Sequence, residues 1–282
     1  MNINVQLLLI LACALVPFSG CTERREALGG GAESKTQVTV LRVDGGGSEA
    51  DGGGDTGAAK ITTFGTFKGR VVVTGTAPKL GLIYAKGDAS VQDAVCRASD
   101  IPNESVVVSD DGGLANVFIF LRRAPKNVDI PEPPAEAVVL DQLGCKFIPH
   151  AAVVRVGQPL LLKNSDGTTH NVKGNGLAFT INETLGPSTT KDSGATRGES
   201  KPAEIVCNFH NWMRGWVLPL DHPWGVVTAA DGSFEIQGVP SGEMEFTFYH
   251  EGKQVTGNLK VNIPADGEAE QVIEIDASKL VP

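Results

Sequence analysis

The stretch Cys207-Asn208-Phe209-His210-Asn211-Trp212-Met213 puts a thiol, an imidazole and a thioether within seven residues. It follows the strand-like EIV (204–206) and precedes the strand-like GWVLPL (215–220). A tight loop between two strands could aim all three side chains at one point. A Cys thiolate with two His in a trigonal set, and a weak axial Met, is the donor set of a mononuclear type 1 copper site. Soft sulfur suits Cu(I) and imidazole suits Cu(II), so a site between the two preferences rearranges little when an electron moves. The second imidazole must come from elsewhere, and His170 in KNSDGTTHNV is the best placed. It lies 37 residues before Cys207, a separation that returns the chain to a neighbouring strand of a sandwich. Two other readings stay open on these residues alone. Cys207 could be half of a disulfide, with His210 and Met213 as loop and core residues. A zinc site could use the Cys and His, though zinc rarely takes Met.

The elements that must position these residues are strands. From residue 63 onward, short β-rich runs alternate with turn residues. The runs include GRVVVTG (69–75), ESVVVS (104–109), NVFIFL (116–121), AVVLD (137–141), AAVVRV (151–156), PLLLKN (159–164), SFEIQ (233–237), EMEFTFYH (243–250), NLKVNI (258–263) and QVIEI (271–275). No segment of about a dozen residues holds a helical period, and Ala89–Ala98 is the one weak helical candidate. The pattern predicts an all-β sandwich architecture.

The chain has 282 residues, a net charge of -9 and five cysteines. The acidic balance argues against a nucleic-acid partner, which calls for a basic face. No Gly-x-Ser-x-Gly, paired-carboxylate constellation or phosphate loop points to an enzyme, and no small-molecule substrate is expected. Residues 7–16 are ten consecutive apolar residues followed by Pro17 and a small-residue end, as in a secretory signal. The stretch FSGC (18–21) resembles a bacterial lipoprotein signal, which implies that Cys21 carries lipid. Residues 21–62 read as a flexible tether: 22–60 alone hold ten of the 34 glycines. Forty such residues span about 35 Å r.m.s.. An exported chain that loses Cys13 and lipidates Cys21 keeps Cys96, Cys145 and Cys207 in an oxidising compartment. One pair, Cys96 with Cys145, plus one special cysteine is the simplest account, although either could be a buried free thiol. The pair would close a loop of about 50 residues, worth about 4 kcal/mol in the chain-entropy model. His150, His222 and His250 read as structural. All three Trp fall between 212 and 224. Trp216 and Trp224 read as core. Trp212, inside the loop, is the expected exposed ring of a partner-docking patch, with electrons leaving through His210.

The segment FIPHAAVVRVGQPLLLKNSDGTTHNV (147–172) and the Cys-x2-His-x2-Met loop together resemble the cupredoxins over roughly residues 114–220. The loop spacing is that of amicyanin, two residues shorter than that of plastocyanin. The resemblance implies a Greek-key sandwich with one type 1 copper, held by His170, Cys207, His210 and Met213. It also implies that Asn171 fixes the thiolate through a backbone hydrogen bond. Asn211 stands where amicyanin-like loops tend to have Pro. The stretch VVTAADGSFEIQGVPSGEMEFTFYHEG (226–252) resembles the carboxypeptidase regulatory-like, transthyretin-like sandwich, and GTFKGRVVVTG (65–75) resembles its first strand. The expected organisation is therefore a signal (1–20), a tether (21–62), a copper domain (63–221, with 63–113 open to sharing) and a C-terminal sandwich (222–282). Together these pieces resemble methylamine-utilization-like envelope proteins. They imply a lipid-anchored electron carrier of the bacterial cell envelope with redox-protein partners and a membrane attachment. The alternative is a non-redox binding module or a copper-storage protein.

Overall fold

The computed structural model describes residues 59–280. Cys13, Cys21, the signal-like segment and nearly all of the Gly-rich tether lie outside the described residues. Among the described residues the regular structure is strands, with short 3₁₀ turns at Cys96–Ala98 and Ala277–Leu280. No helix there is long and apolar enough to cross a membrane. The chain is an all-β sandwich protein, as its alternation of short apolar runs and turns predicts.

Four main sheets pack in layers. In the first, Phe64–Thr74 lies between Ser233–Pro240, antiparallel, and Glu268–Asp276, parallel. The second runs Gly225–Val227, Phe118–Leu121, Gly242–His250, Lys253–Gln254, with Leu259–Ile263 also paired to Gly242–His250. The third runs Asn182–Leu185, His170–Gly174, Ala203–Val206, Arg214–Leu220, Ala151–Arg155. The fourth runs Thr189–Gly194, Pro159–Asn164, Val138–Gln142, Phe147–Ile148.

Three apolar clusters hold the layers together. Phe67, Val71, Ile119, Leu121, Phe246 and Ile275 fill the space between the first two sheets. Leu140, Leu162, Val172, Ile205 and Val217 do the same for the third and fourth, and this cluster includes Cys207 and Met213. Phe118, Phe120, Leu218 and Leu220 join the second sheet to the third. Phe118–Leu121 is therefore covered on both faces, which is why its sequence FIFL is a continuous apolar run rather than an alternating one. The first cluster draws on chain from both sides of the 138–220 segment, and Phe64–Thr74 pairs with the strands that follow residue 232. At Gly69 a Cβ would stand 1.9 Å from the Gln271 carbonyl oxygen, so the parallel pairing of Phe64–Thr74 with Glu268–Asp276 requires glycine there.

Two expected elements take another form. The run 104–109 makes only an isolated bridge, Val108 with Leu114. Its chain turns back at once through Ser109 and Gly113, whose N–H and C=O groups bond across the turn. The weak helix over 89–98 reduces to the 3₁₀ turn at Cys96–Ala98. Asp93 Oδ1 accepts the N–H groups of Val95 and Cys96, a local turn that competes with helix propagation.

Phe246 is fully buried, and its ring centroid lies 4.5 Å from that of Phe67. Phe246→Ala is expected to cost about 3–5 kcal/mol of stability in chemical denaturation. The surroundings of Cys207 in the folded variant should be unchanged, because Phe246 belongs to a cluster that does not include Cys207.

Candidate metal centre

Two adjacent strands deliver the chemistry. Ala203–Val206 pairs with His170–Gly174 on one side and with Arg214–Leu220 on the other. His170 opens its strand, and Cys207 directly follows Val206. The pair Val206 and Arg214 closes the base of the 207–213 loop. Inside the loop, the Cys207 N–H donates to the Met213 carbonyl (3.2 Å) and the Met213 N–H donates to the His210 carbonyl (2.9 Å). These bonds fold the loop back on itself and bring Cys207 and His210 together.

His170 Nδ1 and His210 Nδ1 stand 3.0 Å apart, and Cys207 Sγ is 3.7 Å from His210 Nδ1. The three side chains offer donor atoms that all lie within 4.8 Å of one another, and all three residues are buried. Bonds of about 2.0 Å to nitrogen and about 2.3 Å to sulfur, spread in a plane, would set sulfur and nitrogen about 3.7 Å apart. The same plane would set the nitrogens about 3.5 Å apart, so a small opening of the two rings admits an ion. Met213 is buried in the same apolar cluster as Cys207.

The outer edges of the rings explain why the inner edges are free to act as donors. His170 Nε2 is 2.8 Å from Asp166 Oδ2, which places a ring proton on that nitrogen. Asp166 is itself buried and accepts the N–H groups of Gly144 (2.7 Å) and Cys145 (2.8 Å). His210 Nε2 faces Asp93 Oδ2 at 3.7 Å, an ionic contact longer than a hydrogen bond. The same oxygen accepts the Thr168 hydroxyl (2.6 Å). Carboxylates behind ligand imidazoles fix ring orientation and raise basicity. The Asn171 N–H donates to Cys207 Sγ (3.3 Å), and the Asn171 side chain bonds Asn182 and Glu183.

Burial alone would push the Cys207 thiol up. Hydrogen bonds from His170, His210 and the N–H groups of Asn171 and Phe209 outweigh it and lower the pKa from 9.0 to about 6. Burial likewise opposes a charged His170, but Asp166 and the thiolate outweigh it and raise its pKa from 6.5 to about 9. Without metal the centre therefore holds a thiolate beside an imidazolium, and a proton on His170 occupies the place a cation would take. That donor chemistry, one soft thiolate and two imidazoles, all buried, fits copper.

Cys96 and Cys145 form a disulfide, with Cα atoms 5.5 Å apart, and both are buried. His150, His222 and His250 are outside the centre. His150 Nε2 bonds Glu251 (2.7 Å), His222 stacks on Trp224, and burial lowers the His250 pKa to about 4. Trp224 is core, and Trp216 donates its indole N–H to Glu251 (3.0 Å).

The surface around the loop has two features the sequence does not show. Trp212 is partly buried and lines a surface pocket. Its indole N–H donates to the Cys145 carbonyl (3.1 Å), and the ring packs between Tyr84 and His210. Phe209, at 57% exposure, is the ring that faces solvent. His210 does not present an open edge either, being only 5% exposed, with Asp93 at its outer nitrogen. Asp166 and Asp93 were not legible as site residues. Asp166 reads as turn chemistry in Asn-Ser-Asp-Gly, and Asp93 lies in a segment with no motif.

No family model and no curated protein matches the chain. Solved structures similar to part of it include amicyanins and a cupredoxin. The Cu(I) form of an amicyanin mutant is 21% identical with a TM-score of 0.28, covering 33% of this chain and 97% of that one. The amicyanin of Paracoccus versutus is 20% identical with a TM-score of 0.27, covering 31% and 84%. A novel purple cupredoxin from Nitrosopumilus maritimus is 17% identical with a TM-score of 0.25, covering 30% and 98%.

The depressed thiol has a definite pH signature. Its contribution to stability is present above the ordinary value near 9 and is lost as pH falls through about 6. The raised His170 contributes in the opposite sense: its share is present below 6.5 and is lost as pH rises through about 9. In metal-free protein the ultraviolet thiolate absorbance should disappear on acidification with a midpoint near 6, and Cys207→Ser should remove the transition. A midpoint near 9 would contradict the hydrogen-bonded thiolate.

Proposed function

We propose that this chain is a type 1 copper protein that carries single electrons in the bacterial cell envelope. The convergence of Cys207 Sγ with the Nδ1 atoms of His170 and His210 carries the reading. In this reading Cys207, His170, His210 and Met213 would hold the copper. Bound copper would supply a one-electron Cu(I)/Cu(II) couple.

The residues of the chain do the rest. Asn171 holds the thiolate through its N–H, which limits sulfur movement between the two oxidation states. Asp166 keeps the ring proton of His170 on Nε2 and leaves Nδ1 for the metal. Leu162, Val172, Ile205 and Val217 pack around the buried thiolate and exclude water. A metal held by four side chains of the chain would leave no position for a substrate, so the protein is read as a carrier and not a catalyst. A redox protein would be its donor or acceptor. The lipoprotein-like N-terminus supports attachment to a membrane through Cys21, with the tether giving the copper domain reach. The division into a copper domain over 63–221, with 63–113 shared, and a carboxypeptidase regulatory-like sandwich over 222–282 belongs to the same proposal; the pairing of Phe64–Thr74 with Ser233–Pro240 and Glu268–Asp276 supports the sharing.

The covered edge of His210 favours one alternative, a copper-holding protein that does not cycle. The two readings separate by electrochemistry. A fragment from about residue 60 onward, loaded with Cu(II), should develop an intense visible thiolate-to-copper band and a reversible one-electron couple. Cys207→Ala should abolish the band in protein that still folds. Absence of the band in correctly folded native protein overturns the copper reading; a band without a reversible couple favours storage.

A further inference from the structure

The Cys96–Cys145 disulfide lies against the outer edges of both histidines. Cys96 Sγ and an Asp93 oxygen lie within 4.8 Å of a His210 ring nitrogen, and Cys145 Sγ and an Asp166 oxygen lie as close to a His170 ring nitrogen. The contacts form two matching arms. On one, the Cys96 N–H donates to Asp93 Oδ1 (3.1 Å), and Asp93 Oδ2 faces His210 Nε2 (3.7 Å). On the other, the Cys145 N–H donates to Asp166 Oδ2 (2.8 Å), and that oxygen bonds His170 Nε2 (2.8 Å). A third contact leads to the same rings, since the Cys145 carbonyl accepts the indole N–H of Trp212, whose ring centroid is 5.1 Å from that of His210.

The two arms come from distant parts of the chain. Asp93 and Cys96 belong to the 85–100 segment, which has no strand of its own before Ile101–Pro102. The segment reaches the centre through the disulfide, through Asp93 on Thr168 (2.6 Å), and through Tyr84, whose ring packs on Trp212. The carboxylate behind His170 comes instead from the loop that carries His170 itself.

We propose that the Cys96–Cys145 disulfide is the anchor of a clamp that positions both histidines of the metal centre, with Asp93 as the positioning residue for His210. The disulfide fixes the two backbone amides that orient the two carboxylates, and each carboxylate holds the outer nitrogen of one ring. The clamp also covers the outer edge of His210, which faces Asp93 of this protein's own 85–100 segment. No electron passes through the disulfide in this role, and no bond is made or broken. The proposal rests on the metal reading for its consequence, but its geometry stands on the metal-free protein.

The test compares native protein with Cys96→Ala/Cys145→Ala, Asp93→Asn and Asp88→Asn. Asp88 serves as control because it lies in the same segment, bonds Ser90 and makes no contact with either histidine carboxylate arm. The first readout is nitrogen-edited NMR of the two histidine rings in metal-free protein. The second is Cu(II) affinity by competition. Asp93→Asn should shift or broaden the His210 ring signals, spare those of His170, and weaken Cu(II) binding by about 10–100-fold. The double variant should disturb both rings, and Asp88→Asn neither. Unchanged His210 signals and affinity in Asp93→Asn, with the disulfide intact, overturn the proposal even if the double variant fails to fold. A folded double variant with native rings also overturns it. If native protein binds no Cu(II), the copper reading fails while the ring signals still decide the clamp.

Discussion

Burying a thiolate and two imidazoles together is unfavourable unless every polar atom has a partner, and this requirement organises the structure around residues 170 and 207. An unpaired buried charge costs several kcal/mol in practice, or the group neutralises. Here the thiolate receives the Asn171 N–H and faces two rings. Each ring turns its outer nitrogen to a carboxylate, and the His170 carboxylate is itself held by two backbone amides. On the inner face of the cluster the His170 proton is shared with His210 Nδ1 (3.0 Å), and Cys207 Sγ stands 3.7 Å from the same nitrogen. A soft cation bound there would take the place of that proton.

The scaffold is suited to that demand because it is stiff on both sides of the centre. Arg214–Leu220 sends Val217 into the cluster around Cys207, while Leu218 and Leu220 face the second sheet. A strand pinned on both faces moves little, and the 207–213 loop hangs from it by the Val206–Arg214 pair. The first cluster supports this strand from a layer further away. Phe118 and Phe120 pack beside Leu218 and Leu220, while Ile119 and Leu121 pack beside Phe246. Rigidity that keeps ligand positions similar for two oxidation states lowers the rearrangement needed for electron transfer. The same rigidity would suit retention of copper, which is why the electrochemical couple and not the donor set separates those readings.

The closure over His210 changes where contact with a partner can occur. A ring covered by Asp93 cannot itself touch a docking protein. Phe209, in the same loop, is the solvent-facing apolar ring, and Trp212 stacks beside His210 while still lining the surface next to Asn211 and Arg214. Any partner approaching this loop meets those side chains before it meets a ligand. The net charge near the loop is small, because Arg214 pairs with Glu204 and Lys146 with Glu104. Recognition there depends on shape and apolar contact more than on long-range steering.

The sequence by itself determined the class of the fold and the inner donors. Period-two runs broken by Gly and Asp turns encode strands locally, and the Cys-x2-His-x2-Met spacing confines three donors to one loop. His170 was legible because it stands beside Asn171 at the end of an apolar run, and the odd cysteine count isolated Cys207 from a pair. Tertiary structure alone decided what lies behind the rings. Asp93 is 117 residues from His210, and nothing in its neighbourhood marks it; the disulfide, the Thr168 hydroxyl bonded to Asp93 and the packing of Tyr84 on Trp212 bring it there. Trp212 could not be placed from composition, since a Trp in a loop is equally suited to docking and to stacking on a ligand ring. The run 104–109 failed as a strand for the same reason. Local apolarity states that a segment will be buried, but hydrogen-bond partners for its backbone are assigned by whichever distant strand comes to lie alongside.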